Sequence, residues 1–147
     1  GERILIRETG NDLTVLYLDK KLYCNRSLYS IKITNKNLEP KFISALLNSK
    51  LLQFYYVSKF KSETDLFPKI RIAQVKLLPV KLTKHQQPFI NLVDQILSAK
   101  SANPNADTSA LEKQIDDMVY KLYELTEDEI KIIEGNPKDS LTPFKII

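Results

Sequence analysis

The hydrophobic period of this chain changes across residues 67–82. Upstream of this stretch, apolar residues alternate with polar ones in short runs, which is typical of half-buried strands. Downstream, they recur three and four positions apart behind helix-capping residues, which is typical of amphipathic helices. Within the stretch the alternation slips at Ala73 and Gln74, which predicts one further strand with a turn or bulge there. The alternating apolar positions are Ile70, Ile72, Val75 and Leu77.

The two sides of this stretch carry charge of opposite sign. Residues 1–82 contain 15 Lys and Arg against 7 Asp and Glu, whereas residues 83–147 contain 7 against 11. Such asymmetry favours a partner that only one part contacts. A polyanion such as DNA fits the basic part electrostatically. The alternative is an ordinary lysine-rich surface, and composition does not decide between the two.

Short strands are predicted upstream, separated by polar turns that favour an antiparallel meander. Their ranges are 3–7, 13–18, 22–24 and 27–33. A helix follows, with Pro40 in its first turn and its end near Lys59. We expect its apolar stripe to face the sheet. The stripe consists of Ile43, Leu46, Leu47, Leu51, Phe54 and Tyr55.

Three helices are predicted downstream from residue pairs that cap each other reciprocally. The pairs are Thr83 with Gln86, Ser109 with Glu112, and Thr126 with Glu129. Because Pro88 sits late for the first cap, the alternative start of that helix is near Gln86. The first two helices form a hairpin around residues 101–107, and the third ends at Gly135.

Together these elements predict an α+β fold. It consists of a small, mostly antiparallel β-sheet with one packed helix, followed by a helical hairpin and a short C-terminal helix. The predicted units are residues 1–82, residues 83–135 and a tail of residues 136–147. The chain begins within a strand-like run and without methionine, so we expect a fragment of a longer protein.

Catalytic groupings are missing from the sequence. Three glycines cannot build a phosphate-cradling loop, and one Cys with one His cannot build the usual zinc quartet. A nucleophilic Cys24 would need His85, which is better interpreted as a surface or capping residue. Glu129-Ile-Lys131 resembles the acid-x-Lys pattern of metal nucleases but lies in a capped helix, and we interpret it as a solvated face. We therefore expect no catalysis, metal or cofactor in this chain.

The location of the protein is predicted from two further features. No apolar run approaches the length of a membrane span. The single Cys24 forms no internal disulfide, which favours a reducing compartment and predicts a cytoplasmic protein.

Basic residues of the first part are interleaved with Tyr17, Tyr23 and Tyr29. Lysine and arginine side chains hold phosphates, and arginine also binds guanine bidentately. We interpret each tyrosine as a core or strand-pair residue in preference to a base-stacking one. The predicted DNA-binding residues are Arg7, Lys20, Lys21, Arg26, Lys59, Lys61, Lys69 and Arg71.

Several segments together carry a resemblance to a known family. They are, in order, Ile4-Leu-Ile-Arg-Glu-Thr-Gly10, Tyr23-Cys-Asn-Arg-Ser-Leu-Tyr29, Ala45-Leu-Leu-Asn-Ser-Lys-Leu-Leu-Gln-Phe-Tyr-Tyr56, Phe67-Pro-Lys-Ile-Arg-Ile72 with Leu78-Pro-Val80, and Gln86-Gln-Pro-Phe-Ile90. Between Ile4 and about Gly135 the chain resembles the TaqI-like C-terminal specificity domain of adenine-N6 DNA methyltransferases, including Type IIG restriction–modification enzymes. Residues 67–82 and the helix after them also resemble Type I specificity subunits.

The resemblance implies a target-recognition domain that clamps duplex DNA against a catalytic domain and reads it from the major groove. The parent enzyme would flip an adenine and methylate it with S-adenosylmethionine. Its Asn-Pro-Pro-aromatic motif is absent here, since Asn103-Pro-Asn105 and Asn136-Pro-Lys138 do not fit it. Catalysis is therefore expected outside this chain. The family's base-reading residues vary with the target, so none is carried over.

A protein-interaction module is the alternative hypothesis. In it the helical hairpin docks the catalytic domain or a second subunit, and dimerisation through the hairpin is expected. An exposed apolar stripe on residues 89–122 would favour this alternative.

Overall fold

The structure is a computed structural model that describes residues 2–7, 13, 15–19, 28–60 and 71–135, and the backbone of residues 145–146. It contains four strands and six helices within those residues. The strands are β1 (Arg3–Arg7), β2 (Val15–Leu18), β3 (Leu28–Ile31) and β4 (Lys145–Ile146). The helices are α1 (Pro40–Asn48), α2 (Lys50–Phe60), α3 (Ile72–Val75), α4 (Gln87–Ala102), α5 (Ser109–Leu122) and α6 (Glu127–Glu134). The α+β prediction is confirmed, and the strand predicted at residues 22–24 lies outside the described residues.

The sheet has the order β3-β1-β2-β4, which differs from a sequential meander. Strand β1 lies antiparallel between β2 and β3, with Ile6 opposite Val15 and Arg7 opposite Leu28. Three consecutive residues of β1 are fully buried, so this strand is covered on both faces and occupies the sheet interior. The backbone of β4 pairs in parallel with β2, so the segment predicted as a tail contributes the far edge.

The helix predicted over residues 40–59 is two helices that break at Ser49. The Ser49 backbone is extended (φ −65°, ψ 153°), and its hydroxyl donates to the Leu46 carbonyl at 2.6 Å. The same hydroxyl lies 3.4 Å from the Leu52 amide, as a capping residue does. The break rotates the buried face, so the predicted stripe holds only in α1. The buried residues of α2 are Leu52, Gln53 and Tyr56, and Leu51, Phe54 and Tyr55 are half-buried.

The strand predicted through Ile72, Val75 and Leu77 is wrong, because this segment forms the single helical turn α3. The Arg71 carbonyl accepts from the Val75 amide at 3.1 Å, which closes that turn. Leu78 is buried, whereas the predicted inward positions Ile72 and Leu77 are 46% and 62% exposed. A short apolar run fits both the two-residue period of a strand and the 3.6-residue period of a helix, and here the burial of Leu78 favours the helix. Residues 67–70 lie outside the described range.

The helical hairpin is present as predicted, with its caps displaced. Helix α4 begins after Gln86, which confirms the alternative start. Helix α5 begins after Thr108, whose hydroxyl donates to Glu112 Oε2 at 3.2 Å, so the pair predicted with Ser109 is wrong. The Ser109 backbone amide instead donates to the Asp107 carboxylate at 3.0 Å.

The capping box of Thr126 and Glu129 at the start of α6 is confirmed. Its two hydrogen bonds are 2.9 Å and 3.2 Å long, and they lower the pKa of the Glu129 carboxyl. The helix ends at Gly135, also as predicted, but with φ −79°. A Cβ there would lie 3.0 Å from the Lys131 carbonyl oxygen, so close approach of the backbone explains this glycine.

One hydrophobic core joins the sheet to the hairpin. It contains buried residues of β1, β2, α1, α2, α4 and α5, together with Leu78. At its centre, the rings of Phe42 in α1 and Phe89 in α4 pack edge to face with centroids 5.1 Å apart. Fully burying one such side chain contributes about 1.5–3 kcal/mol to the free energy of unfolding. The core therefore includes residues from both sides of the predicted boundary at residue 82.

Candidate nucleic-acid interface

Three of the eight predicted DNA-binding residues are described, and all three are exposed: Arg7, Lys59 and Arg71. The other five lie outside the described residues: Lys20, Lys21, Arg26, Lys61 and Lys69. Arg7 ends β1, Lys59 lies in the last turn of α2, and Arg71 precedes α3.

Helices α2 and α3 are joined at Tyr56. Its ring is fully buried in α2, and its hydroxyl donates to Gln74 Oε1 of α3 at 3.4 Å. Burial raises the pKa of Tyr56 to about 12, with a smaller electrostatic contribution from Tyr29 of β3. Tyr29 lies opposite Ile6, one residue from the pair of Arg7 with Leu28. Tyr56 therefore links α2 to α3 through the Gln74 side chain.

Lys59 is held at the end of α2 by aromatic rings. Its ammonium donates to the Tyr55 hydroxyl at 2.9 Å and lies 5.2 Å from the centroid of that ring. It also lies 5.7 Å from the centroid of Phe60, which packs 5.6 Å from Tyr56. Ring faces attract cations without neutralising them. Lys59 thus lies exposed in the last turn of α2 with its ammonium over these rings.

Arg71 precedes α3 with an exposed side chain and an extended backbone (φ −102°, ψ 132°). Within the described ranges its guanidinium has no ion-pair partner. The contact between Gln74 and Tyr56 fixes this turn beside α2. The charge of Arg71 is therefore available to a phosphate or a guanine edge.

The far side of the same segment is held by the hairpin. The Tyr123 hydroxyl, just after α5, donates to the Pro79 carbonyl at 2.5 Å and accepts from the Lys81 amide at 3.0 Å. Burial raises the pKa of Tyr123. Sequence patterns did not single out this tyrosine, because a contact 44 residues away leaves no periodic signal.

A buried carboxylate of the hairpin caps α2. Asp116 of α5 is 7% exposed, and its Oδ1 accepts from the Lys50 amide at 2.9 Å. Burial raises the pKa of Asp116 to about 6, although the hydrogen bond from Lys50 opposes this shift. Sequence reasoning missed Asp116, because its partner Lys50 lies 66 residues away and the neighbouring Asp117 is an ordinary exposed acid.

Gln86 makes a similar contact at the start of α1. Its side-chain oxygen accepts from the Glu39 amide at 2.9 Å, and its amide group donates to the Asn37 and Thr83 carbonyls. The sequence predicted it as a local capping partner of Thr83. It instead ties the loop before α1 to the hairpin.

Two of the interleaved tyrosines fit the core interpretation. Tyr17 is 3% exposed, and its hydroxyl donates to Glu2 Oε1 at 2.5 Å. Burial raises the pKa of Tyr17. Tyr29 is half-buried and packs against the core. Tyr23 lies outside the described residues.

The apolar stripes of the hairpin are turned inward. Phe89, Val93, Ile96, Ile115 and Val119 all lie in the core. The exposed large hydrophobic residues of the described part are elsewhere: Ile72, Leu77, Leu82 and Ile132. The exposed stripe that would favour docking through residues 89–122 is therefore not found, and dimerisation through the hairpin stays a prediction.

No group of three His, Cys, Asp or Glu side chains in the described ranges is arranged to hold a metal ion. No helix there combines the length and apolar character needed to cross a membrane.

Comparison with known families identifies the first part of the chain. Residues 1–80 match the TaqI-like C-terminal specificity domain, and they make up more than half of the 147 residues. The chain belongs to this family. The matched span of the specificity domain ends at Val80, between the two residues that Tyr123 holds. Comparisons with curated proteins and with solved structures found no significant match.

Proposed function

We propose that this chain is the DNA target-recognition part of an adenine-N6 DNA methyltransferase of a restriction–modification system. It binds duplex DNA and presents it to a catalytic domain that lies outside this chain. That domain binds S-adenosylmethionine and, in a Type IIG parent, is fused to an endonuclease. The observation that carries the proposal is that residues 1–80 belong to a specificity-domain family. The exposure of Arg7, Lys59 and Arg71 supports it.

Each described cation has a role that follows from its chemistry. Lys59, a compact point charge held over aromatic rings, suits a phosphate. Arg71 lies on an exposed turn, and its guanidinium has no ion-pair partner among the described residues, which suits either a phosphate or the O6 and N7 atoms of guanine. Arg7 contacts the phosphate backbone of the DNA from the end of β1. The five cations outside the described residues extend the same surface in this proposal: Lys20, Lys21, Arg26, Lys61 and Lys69.

The setting of the parent enzyme is part of the same proposal. Restriction–modification methyltransferases act on cytoplasmic DNA, so we place the protein in the cytoplasm. The single Cys24 is consistent with a reducing compartment. The partners of the chain are the DNA duplex and the catalytic domain of its own polypeptide.

Fluorescence anisotropy with a labelled duplex tests the proposal on the full chain. Each phosphate contact contributes a slope of about −0.9 to log K against log salt concentration. Three described cations predict a slope of about −3 or steeper if the other five also contribute. Absence of binding at low salt, or binding without a salt slope, would overturn the proposal.

A further inference from the structure

Helix α3 presents an apolar face to solvent. Ile72 and Leu77 are 46% and 62% exposed, and they are two of the four exposed large hydrophobic residues in the described part of the chain. Because Lys76 continues the helical backbone (φ −63°, ψ −21°), positions 72, 73, 76 and 77 share one side of the turn. The opposite side bears the half-buried Gln74 and Val75 and the buried Leu78.

The turn is fixed on its inner side by three contacts. Gln74 accepts from the Tyr56 hydroxyl, Leu78 lies in the core, and Tyr123 holds the Pro79 carbonyl. The exposed side chains are therefore presented by an anchored element. Such preorganisation lowers the entropic cost of binding.

The surroundings of this face are cationic. Residues 71–82 contain Arg71, Lys76 and Lys81 and no carboxylate. Among the described residues, Arg71 and Lys76 have no ion-pair partner, and Lys81 lies 3.9 Å from Glu124, a largely exposed acid. Apolar side chains flanked by unpaired cations suit a partner with apolar groups set between negative charges.

The major groove of duplex DNA has this chemistry, since the 5-methyl group of thymine lies between two phosphate strands. Ile72 opens α3, and Leu77 lies five residues later in the turn of i→i+3 hydrogen bonds that follows it. A rise of about 1.5–2.0 Å per residue separates the two by roughly 7.5–10 Å along the axis. That distance is about two to three base-pair steps of roughly 3.4 Å. The two side chains can therefore reach base pairs two or three steps apart.

We propose that Ile72 and Leu77 contact thymine methyl groups in the major groove while Arg71 and Lys76 hold the adjacent phosphates. The inference rests on the proposed function and adds to it a class of base contact and the residues that make it. The cations supply affinity for any sequence, and the two apolar side chains favour thymine at two positions.

Replacement of thymine by uracil tests this inference, because it removes only the methyl group. A duplex is first selected by the full chain from a randomised pool, and it is then remade with uracil at every thymine. Anisotropy at one salt concentration gives the two dissociation constants. We expect uracil to weaken binding of the wild-type chain by about fourfold for each buried methyl group.

The variant I72A/L77A is expected to bind the two duplexes equally, at about the affinity of the wild-type chain for the uracil duplex. Its melting temperature should match that of the wild type, because both side chains are exposed. I132A is the matched control, since Ile132 is 64% exposed on α6 and should leave the preference for thymine intact.

The outcomes separate this inference from the proposed function. Binding of neither duplex overturns both. Salt-dependent binding that is equal for the two duplexes in the wild-type chain overturns the methyl contact alone, and the face then serves another partner. A selected duplex without thymine, or loss of the preference in I132A, also overturns it.

Discussion

The predicted DNA-binding cations of the first part and three polar side chains of the hairpin α4–α5 face in opposite directions. In the first part, Lys59 and Arg71 are exposed, and the ammonium of Lys59 lies over the Tyr55 ring. In the hairpin, three polar side chains turn inward and bond the backbone of the first part. They are Gln86 at residues 37–39, Asp116 at the start of α2, and Tyr123 at Pro79 and Lys81. The hairpin thus positions the elements that carry the candidate interface.

The largest effect is expected where the two parts share the core. F89A removes a ring of α4 that packs on Phe42 of α1, and such truncations cost about 3–5 kcal/mol. Urea unfolding should remain a single transition at lower midpoint, whether followed by circular dichroism or by tyrosine fluorescence. If the first part instead kept its own transition at the wild-type midpoint, the two parts would be independent.

The next effect concerns the buried cap of α2. D116L removes the acceptor of the Lys50 amide and should cost about 1–3 kcal/mol, whereas D116N keeps an acceptor oxygen and should not. Urea titrations of both variants at pH 4, where the folded Asp116 carboxyl keeps its proton, measure the difference. Equal losses in the two variants would show that the hydrogen bond contributes nothing.

The same carboxylate makes stability depend on pH. Its pKa is raised by burial from 3.8 to about 6 on folding, so the folded chain binds this proton more tightly. Its contribution is full below pH 4 and is lost as pH rises through 6. The nearby charges of Glu112 and Glu134 contribute to this rise in pKa, and Lys50 opposes it. Relative to D116N, wild-type stability should fall by up to about 3 kcal/mol between pH 4 and pH 7. A pH-independent difference would contradict the buried ionisation.

These contacts also show what the sequence could and could not predict. The capping box of Thr126 and Glu129 was predictable, because both partners lie within one turn. The break at Ser49 was not, since Asp116 caps α2 from 66 residues away. The same holds for α3, where a short apolar run fits either period and only burial of Leu78 selects the helix.

The DNA-binding residues stay a prediction, which was made from residue type and not from arrangement. Charge asymmetry indicated which part bears the cations, and the family match agrees with that part. Periodicity could not show that Tyr56 joins α2 to α3, because its partner Gln74 belongs to a separate segment.

A smaller effect is expected from the hairpin contact with the cationic segment. Y123F removes the hydroxyl that bonds Pro79 and Lys81 and should cost about 0.5–1.5 kcal/mol. We expect weaker DNA binding with an unchanged salt slope, because the cations remain and only their positioning is lost. An unchanged affinity would mean that the hairpin does not position this surface.

The most direct test compares the salt dependence of DNA binding in R71A and K113A. Both variants lose one exposed cation, but Lys113 lies on α5 and pairs with Asp117 at 3.0 Å. If the surface that bears Arg71 contacts duplex DNA, R71A should reduce the salt slope by about 1, and K113A should leave the slope unchanged. The melting temperatures of both variants should equal that of the wild type. Equal slopes in R71A and the wild-type chain, or an equal reduction in both variants, would contradict the placement of the DNA on this surface.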